Sequence, residues 1–170
     1  MTRSIYIISG PCGVGKSTVT KGLARKLEKA VLVEGDMITG MFVGQVQPPW
    51  EEKLSIVWQN ISSLTKNYLR NGYDVVIDYV VEDEWEWFCK ELQQAGMNIT
   101  LHYYVLRADP EVLVERITER GDTEMIPRSL ELLHQLESKK ENAPHLYDTT
   151  NKDPDIIIEE IAGNITHFHP

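Results

Sequence analysis

The stretch SIYIISGPCGVGKSTVTKGLARKLEKA, residues 4–30, decides the fold. IYIIS at 5–9 is a β-branched, nearly continuous apolar run, the pattern of a strand buried on both faces. From Lys16 onward the apolar residues take helical spacing. Between the two, Gly10, Pro11, Cys12, Gly13, Val14, Gly15, Lys16, Ser17 and Thr18 contain the pattern G-x-x-x-x-G-K-[ST]. The glycines let backbone N–H groups turn inward around phosphate oxygens, and the helix start adds the positive end of its dipole. In such a loop Lys16 bridges the β- and γ-phosphates, and the Ser17 hydroxyl binds Mg²⁺. Cys12 falls at a free position, where an inert small residue is the simpler reading than a redox switch.

Outward from this stretch, apolar runs alternate with helical segments. AVLVEG (30–35), DVVIDYVV (74–81), NITLHYYVL (98–106) and the short HLYDT (145–149) read as strands. Segments 16–30, 50–72, 83–96, 109–121, 127–143 and about 153–165 read as helices, with Asn71-Gly72 and Ala95-Gly96 as stops and Asp109-Pro110 as a start. The pattern predicts a single α/β domain over residues 1–170, with a five-stranded parallel sheet and right-handed crossovers.

Composition narrows the function. The net charge is −9, and a surface this acidic repels nucleic acid and anionic lipid, so any anionic ligand needs a local pocket. The expectation is no nucleic acid and no membrane as partner, in a monomer or homodimer. Cys12 and Cys89 make no disulfide framework, and the opening residues are too short for a signal peptide or membrane span. A cytoplasmic location follows as the expectation.

VVID at 75–78 ends a buried strand in an acid, which places Asp78 beside the phosphate loop as a second ligand for Mg²⁺. A GTP switch would need D-x-x-G there, but Tyr79, Val80 and Val81 follow; TNKDPD at 150–155 is one place out of register for N-K-x-D. EGD at 34–36 ends the second strand in another acid, Asp36, read either as a group facing an acceptor hydroxyl or as a helix cap.

From IYIISGPCGVGKST through EGD and LRADPEVLVERITER to YDTTN, the chain resembles the small P-loop kinases: gluconate kinase-like, shikimate kinase-like and chloramphenicol phosphotransferase-like proteins. The resemblance implies a three-layer α/β/α sandwich of strand order 2-3-1-4-5, with a short helical lid over about 116–140. It implies ATP and Mg²⁺ as cofactors, and Asp36 as the residue that orients the acceptor hydroxyl and takes its proton. By the match of ERITER to a lid start, Arg116 lies over the adenine and Arg120 reaches the phosphates; Arg128 is a further candidate for the lid arginine, and the choice among the three stays open. YDTTN, ending in Asn151, matches the adenine-holding turn.

The chain departs from these families on the acceptor side. It has MITG after Gly35-Asp36, Glu34 where shikimate kinases carry Asp, and Asp78-Tyr79-Val80 where they carry glycines. The acceptor side is instead read as MITGMFVGQVQPPW (37–50), with Trp50 as an aromatic wall and Tyr79 and Val80 behind it. Trp58, at helical spacing from Leu54 and Ile61, reads as core; Trp85 and Trp87 read as packing or surface residues, and His102 as a sheet residue.

The expected activity is transfer of the γ-phosphoryl group of ATP to a hydroxyl of a small molecule: a sugar acid, sugar, nucleoside or antibiotic-like compound. Lys16, Asp36, Arg120 and Arg128 would carry it. The alternative is a regulatory or stress-linked ATPase with no diffusible acceptor. A nucleic-acid 5′-hydroxyl is disfavoured as acceptor by the charge of −9.

Overall fold

β1 (Arg3–Ser9) lies at the middle of the sheet because its side chains are wanted on both faces. Ile5 and Ile7 point into one core with Val57, Trp58, Phe88 and Leu92, while Tyr6 and Ile8 point into the other with Val19, Leu23, Leu113 and Ile161. Full burial of an apolar side chain of this size contributes about 1.5–3 kcal/mol, so a strand apolar on both faces is stable only between two helical layers. The computed structural model describes residues 2–163 and contains those layers. In chain order they are α1 (Lys16–Lys26), β2 (Ala30–Glu34), α2 (Gly35–Thr39), α3 (Trp50–Arg70), β3 (Asp74–Asp78), α4 (Trp85–Gln94), β4 (Ile99–Arg107), α5 (Pro110–Arg120), α6 (Ile126–Ser138), β5 (Leu146–Asp148) and α7 (Pro154–Gly163).

The sheet is five-stranded and parallel throughout, in the order β2-β3-β1-β4-β5. Ile8 pairs with Asp78, and Asp78 with Glu34, so β1, β3 and β2 end level with one another. The segments leaving those three ends share one crevice, the usual ligand position of an open α/β sheet. They are the phosphate loop after β1, residues 79–84 after β3, and α2 after β2.

Several element ends differ from the sequence reading, each for a local reason. The third strand stops at Asp78 rather than Val81, because the chain turns there: the Ser9 hydroxyl accepts from the Val81 N–H at 3.0 Å, and Glu84 Oε2 accepts from the N–H groups of Glu82 and Asp83 at 2.9 and 3.0 Å. That same turn delays α4 to Trp85. The helix expected over 127–143 ends at Ser138, where Lys139 goes extended, and a 3₁₀ helix with Pro144 comes next. The expected last helix begins at Pro154; Asn164 and Ile165 lie outside the described residues. Among the described residues no helix is long and apolar enough to cross a membrane.

Candidate active site

Gly15 is the capping residue of α1 and has a φ of 101°, a left-handed conformation that a side chain would strain. It turns the loop so that Lys16 folds back over it. The lysine amine donates to the carbonyls of Gly10 at 2.7 Å and Pro11 at 3.0 Å, closing a ring of backbone around the space a phosphate would fill. Lys16 is half-buried as a residue, but its amine faces inward. Burial pushes its pKa down, and the nearby Asp78 partly opposes this.

Asp78 is buried at the end of β3, and burial pushes its carboxyl pKa up against the pull of Lys16. The Thr20 hydroxyl donates to this carboxylate at 3.1 Å, and the nearby Ser17 hydroxyl also favours its ionised form. Ser17 and Asp78 therefore offer one hydroxyl and one carboxylate oxygen at a single point beside the loop. Among the described residues no group of three or more His, Cys, Asp or Glu could hold a metal. The donor set still fits Mg²⁺, which is commonly held by one or two protein oxygens with phosphates and water completing its shell.

Asp36 stands exposed in the first turn of α2, two residues after the capping position, Glu34. Glu34 holds the capping position weighed from sequence for Asp36, and it makes no side-chain capping hydrogen bond. Asp36 is close enough to act electrostatically on Lys16, Asp78 and Tyr79. Behind it, Tyr79 is buried and its OH lies 3.0 Å from the Thr39 hydroxyl. The Tyr79 ring packs flat against Gly35, where any Cβ would come within 2.2 Å of it. This explains the glycine in EGD: it admits the ring that positions α2.

The three arginines differ in their surroundings. Arg116 is half-buried and donates to the Val14 carbonyl at 3.4 Å and to the Thr149 hydroxyl and carbonyl at 3.5 and 3.3 Å, linking the loop to the turn after β5. Arg120 is exposed, near enough to Lys16 to lower its pKa further. Arg128 is exposed and ion-paired to Glu82 at 3.1 Å and Glu131 at 3.3 Å. Neither Arg116 nor Arg120 pairs with Glu115 or Glu119 among the described residues, so ERITER is not a closed surface ion-pair face.

One cavity of about 340 Å³ gathers these groups. Its lining brings together Cys12, Gly13, Gly15, Lys16, Ser17, Asp36, Trp50, Asp78, Tyr79, Arg120 and Arg128 from the sequence reading. Gly10, Pro11, Val14, Thr18, Arg116 and Asn151 lie outside the lining; Asn151 is exposed in the turn after β5. Residues the sequence did not single out complete the site: Leu54, Glu82, Met125 and Leu132 in the lining, Thr20 on Asp78, and Ser129, whose hydroxyl donates to the Cys12 carbonyl at 2.7 Å. Thr20, three residues beyond Ser17 on one helix face, had a readable spacing; Glu82 and Ser129 reach the site only through tertiary packing. A larger cavity of about 600 Å³, lined by Trp85, Leu92, Leu101 and Tyr103, lies between α4 and β4 and contains no residue of the phosphate loop.

Comparison with known proteins agrees with this architecture. A protein of Pyrococcus abyssi named "Putative adenylate kinase" is 30% identical, over 95% of this chain and 83% of its own length. The solved tunicamycin resistance protein of Deinococcus radiodurans superposes with a TM-score of 0.69 at 18% identity, covering 98% of this chain and 96% of that one. A gluconokinase from Sinorhizobium meliloti gives 0.63 at 17% identity, covering 95% and 90%. Residues 7–142, from β1 through α6, match the family described as AAA domain, and the chain belongs to that family and to the small P-loop kinases.

Proposed function

We propose that the chain transfers the γ-phosphoryl group of ATP to a hydroxyl group of a small molecule. The observation that carries this reading is the placement of Asp36 and Lys16 in the lining of one cavity, which Arg120 and Arg128 also line. In this reading Lys16 leaves the carbonyls of Gly10 and Pro11 for the β- and γ-phosphates. Ser17 and Asp78 hold Mg²⁺, which neutralises charge on the phosphate oxygens when bound. The acceptor hydroxyl oxygen bonds to the γ-phosphorus as the bond to the β–γ bridging oxygen breaks, and ADP departs with that oxygen. Asp36 orients the hydroxyl and accepts its proton; Arg120 stabilises the charge on the moving group. Arg116, tied to Thr149, sits where the turn after β5 would meet the adenine.

ATP consumption measured with and without a panel of hydroxyl compounds tests the proposal. Acceptor-dependent ADP release with a phosphorylated product supports it. Hydrolysis at one rate whatever is added would favour an ATPase without a diffusible acceptor. The name of the Pyrococcus relative raises a nucleotide as the acceptor, a narrower reading that turns on the charge of the acceptor half.

A further inference from the structure

We infer that the acceptor bears no negative charge: it is a hydroxyl compound with an apolar or planar body, and it is neither a nucleoside monophosphate nor a sugar acid. This rests on the phosphotransferase reading and concerns the half of the cavity beyond Asp36.

A phosphate or carboxylate on an acceptor has to be met by cations or by backbone N–H groups aimed at it, because an unpaired anion is costly to desolvate. The elements that would meet it run from α2 to the start of α4. Between Gly35 and Trp85 there are only three basic residues, Lys53, Lys66 and Arg70. Lys53 lies over the Phe42 ring, 5.0 Å from its centre, and donates to Gln47. Lys66 is paired with Glu91 at 2.7 Å. Arg70 is the last residue of α3, about 30 Å along the helix from Trp50 at the usual rise per residue. None of the three lines the cavity.

The cations that do line it have other assignments in the phosphotransferase reading, Lys16 and Arg120 to the transferred phosphoryl group. Lys16 belongs to the phosphate loop, and Arg120 lies beside it. Arg128 is matched by Glu82 and Glu131, and Glu82 is itself part of the lining. With ATP in the loop, an anionic acceptor would face the carboxylate of Asp36 on one side and the γ-phosphate on the other. Like charges facing one another across a cavity repel.

What the acceptor half does offer is apolar surface. Trp50, Leu54 and Val80 line it, and Trp50 is 53% exposed. Beside the lining, α2 carries Met37, and its connection to α3 carries Met41, Val43 and Val46, exposed by 68%, 70%, 87% and 91%. Side chains of this kind cover a flat or apolar body, and give nothing to an anion.

The experiment compares uncharged acceptors with relatives that carry an added anionic group: adenosine and AMP, uridine and UMP, and glucose and glucuronate, which keeps the pyranose ring and its secondary hydroxyls. Transfer from MgATP is measured as kcat/KM for each. The uncharged member is expected to be better by at least about tenfold in every pair that reacts, the usual cost of leaving one charged group unmatched. An anionic member that equals or exceeds its partner overturns the inference. AMP binding to protein saturated with a non-hydrolysable ATP analogue is measured by calorimetry, and needs no turnover. No saturable binding is expected up to about 1 mM, and saturable binding below that concentration overturns the inference. If no compound is phosphorylated and ATP is still hydrolysed, the phosphotransferase reading fails, while the AMP titration still decides the charge question. Glu82→Gln unmasks Arg128 and is expected to raise AMP affinity; a variant that binds AMP no better overturns the assignment of this selectivity to the Glu82–Arg128 pair.

Discussion

The Ser129 hydroxyl donates to the Cys12 carbonyl at 2.7 Å, so α6 is fastened to the phosphate loop itself. Ser129 is fully buried, and the residues after it, Leu132, Leu133 and Leu136, enter the two cores. Within residues 116–140 the stretch from Thr118 to Met125 and Arg128 are exposed. A bond of this kind contributes about 0.5–1.5 kcal/mol. Ser129→Ala is expected to lower stability by that amount and to weaken ATP binding, because the loop loses the brace on its Cys12 side. Thermal unfolding and nucleotide titration on the same variant check both. A variant with lowered stability and normal nucleotide affinity would make the bond a packing contact only.

Lys16→Ala is expected to abolish nucleotide turnover while the protein still melts cooperatively. The amine donates to the carbonyls of Gly10 and Pro11 within its own loop, and burial already disfavours its charged form. Unchanged turnover would remove the loop from the mechanism.

Arg116 and Arg120 are one helical turn apart and are expected to separate in mutants. Arg120 makes no ion pair among the described residues and is exposed, so Arg120→Ala should change stability by less than about 0.5 kcal/mol while sharply reducing turnover. Arg116 joins Val14 to Thr149, so Arg116→Ala should reduce both stability and nucleotide affinity. Small and equal effects of Arg120→Ala on stability and turnover would return it to the solvated surface.

A pH effect is expected from two histidines outside the site. His102 is buried and stacked on Tyr6 at 4.5 Å, and burial holds its pKa below the ordinary 6.5; burial acts on His145 in the same direction. A depressed folded pKa means that the unfolded chain binds the proton more readily. The contribution to stability is then complete above pH 6.5 and is lost as the pH falls through the folded value. Each such histidine adds at most about 1.4 kcal/mol per pH unit to the slope. Denaturant unfolding between neutral and acid pH should show the decline, and His102→Phe, which keeps the stack, should flatten it. An identical slope in the variant would place the acid sensitivity elsewhere.

The sheet was legible because its determinants are local. A strand apolar on both faces, a glycine-rich turn and a helix succeed one another in fewer than thirty residues, and each later strand repeats the first pattern. Trp58 was legible as core for the same reason: its spacing from Leu54 and Ile61 puts it on the buried face of α3, where it meets Tyr79 and Phe88. The turn at 79–84 was not legible. Val80 and Val81 continue the strand pattern, and only a carboxylate from Glu84 and a hydroxyl from β1 bend the chain away. Glu82 carries no local signal either, because its pairing with Arg128 spans two elements that no sequence period relates. Arg116 and Arg120 look alike in ERITER, and only the placement of β5 beside β4 gives one of them a carbonyl to hold.

Asp36 is the residue whose replacement best distinguishes transfer from simple ATP hydrolysis. It is exposed, is not the cap of α2, and lines the cavity together with Lys16. Asp36→Asn keeps the shape and removes both the negative charge and the basicity. ATP affinity should stay near normal, because the loop at 10–18 holds the phosphates and Asp36 lies on the acceptor side of them. Transfer should fall by about 10²–10⁴-fold, the usual worth of a positioned general base. A loose transition state asks less of the base, because little bond to the incoming oxygen has formed when the γ-phosphorus leaves; the loss would then lie near 10²-fold. Nucleotide affinity and acceptor phosphorylation, measured on one preparation of the variant, separate the cases. Loss of affinity without a separate loss of transfer would move Asp36 into the Mg²⁺ shell beside Ser17 and Asp78. Full activity would leave α2 as a wall of the site, and the proton would then have to pass to the γ-phosphate oxygens themselves.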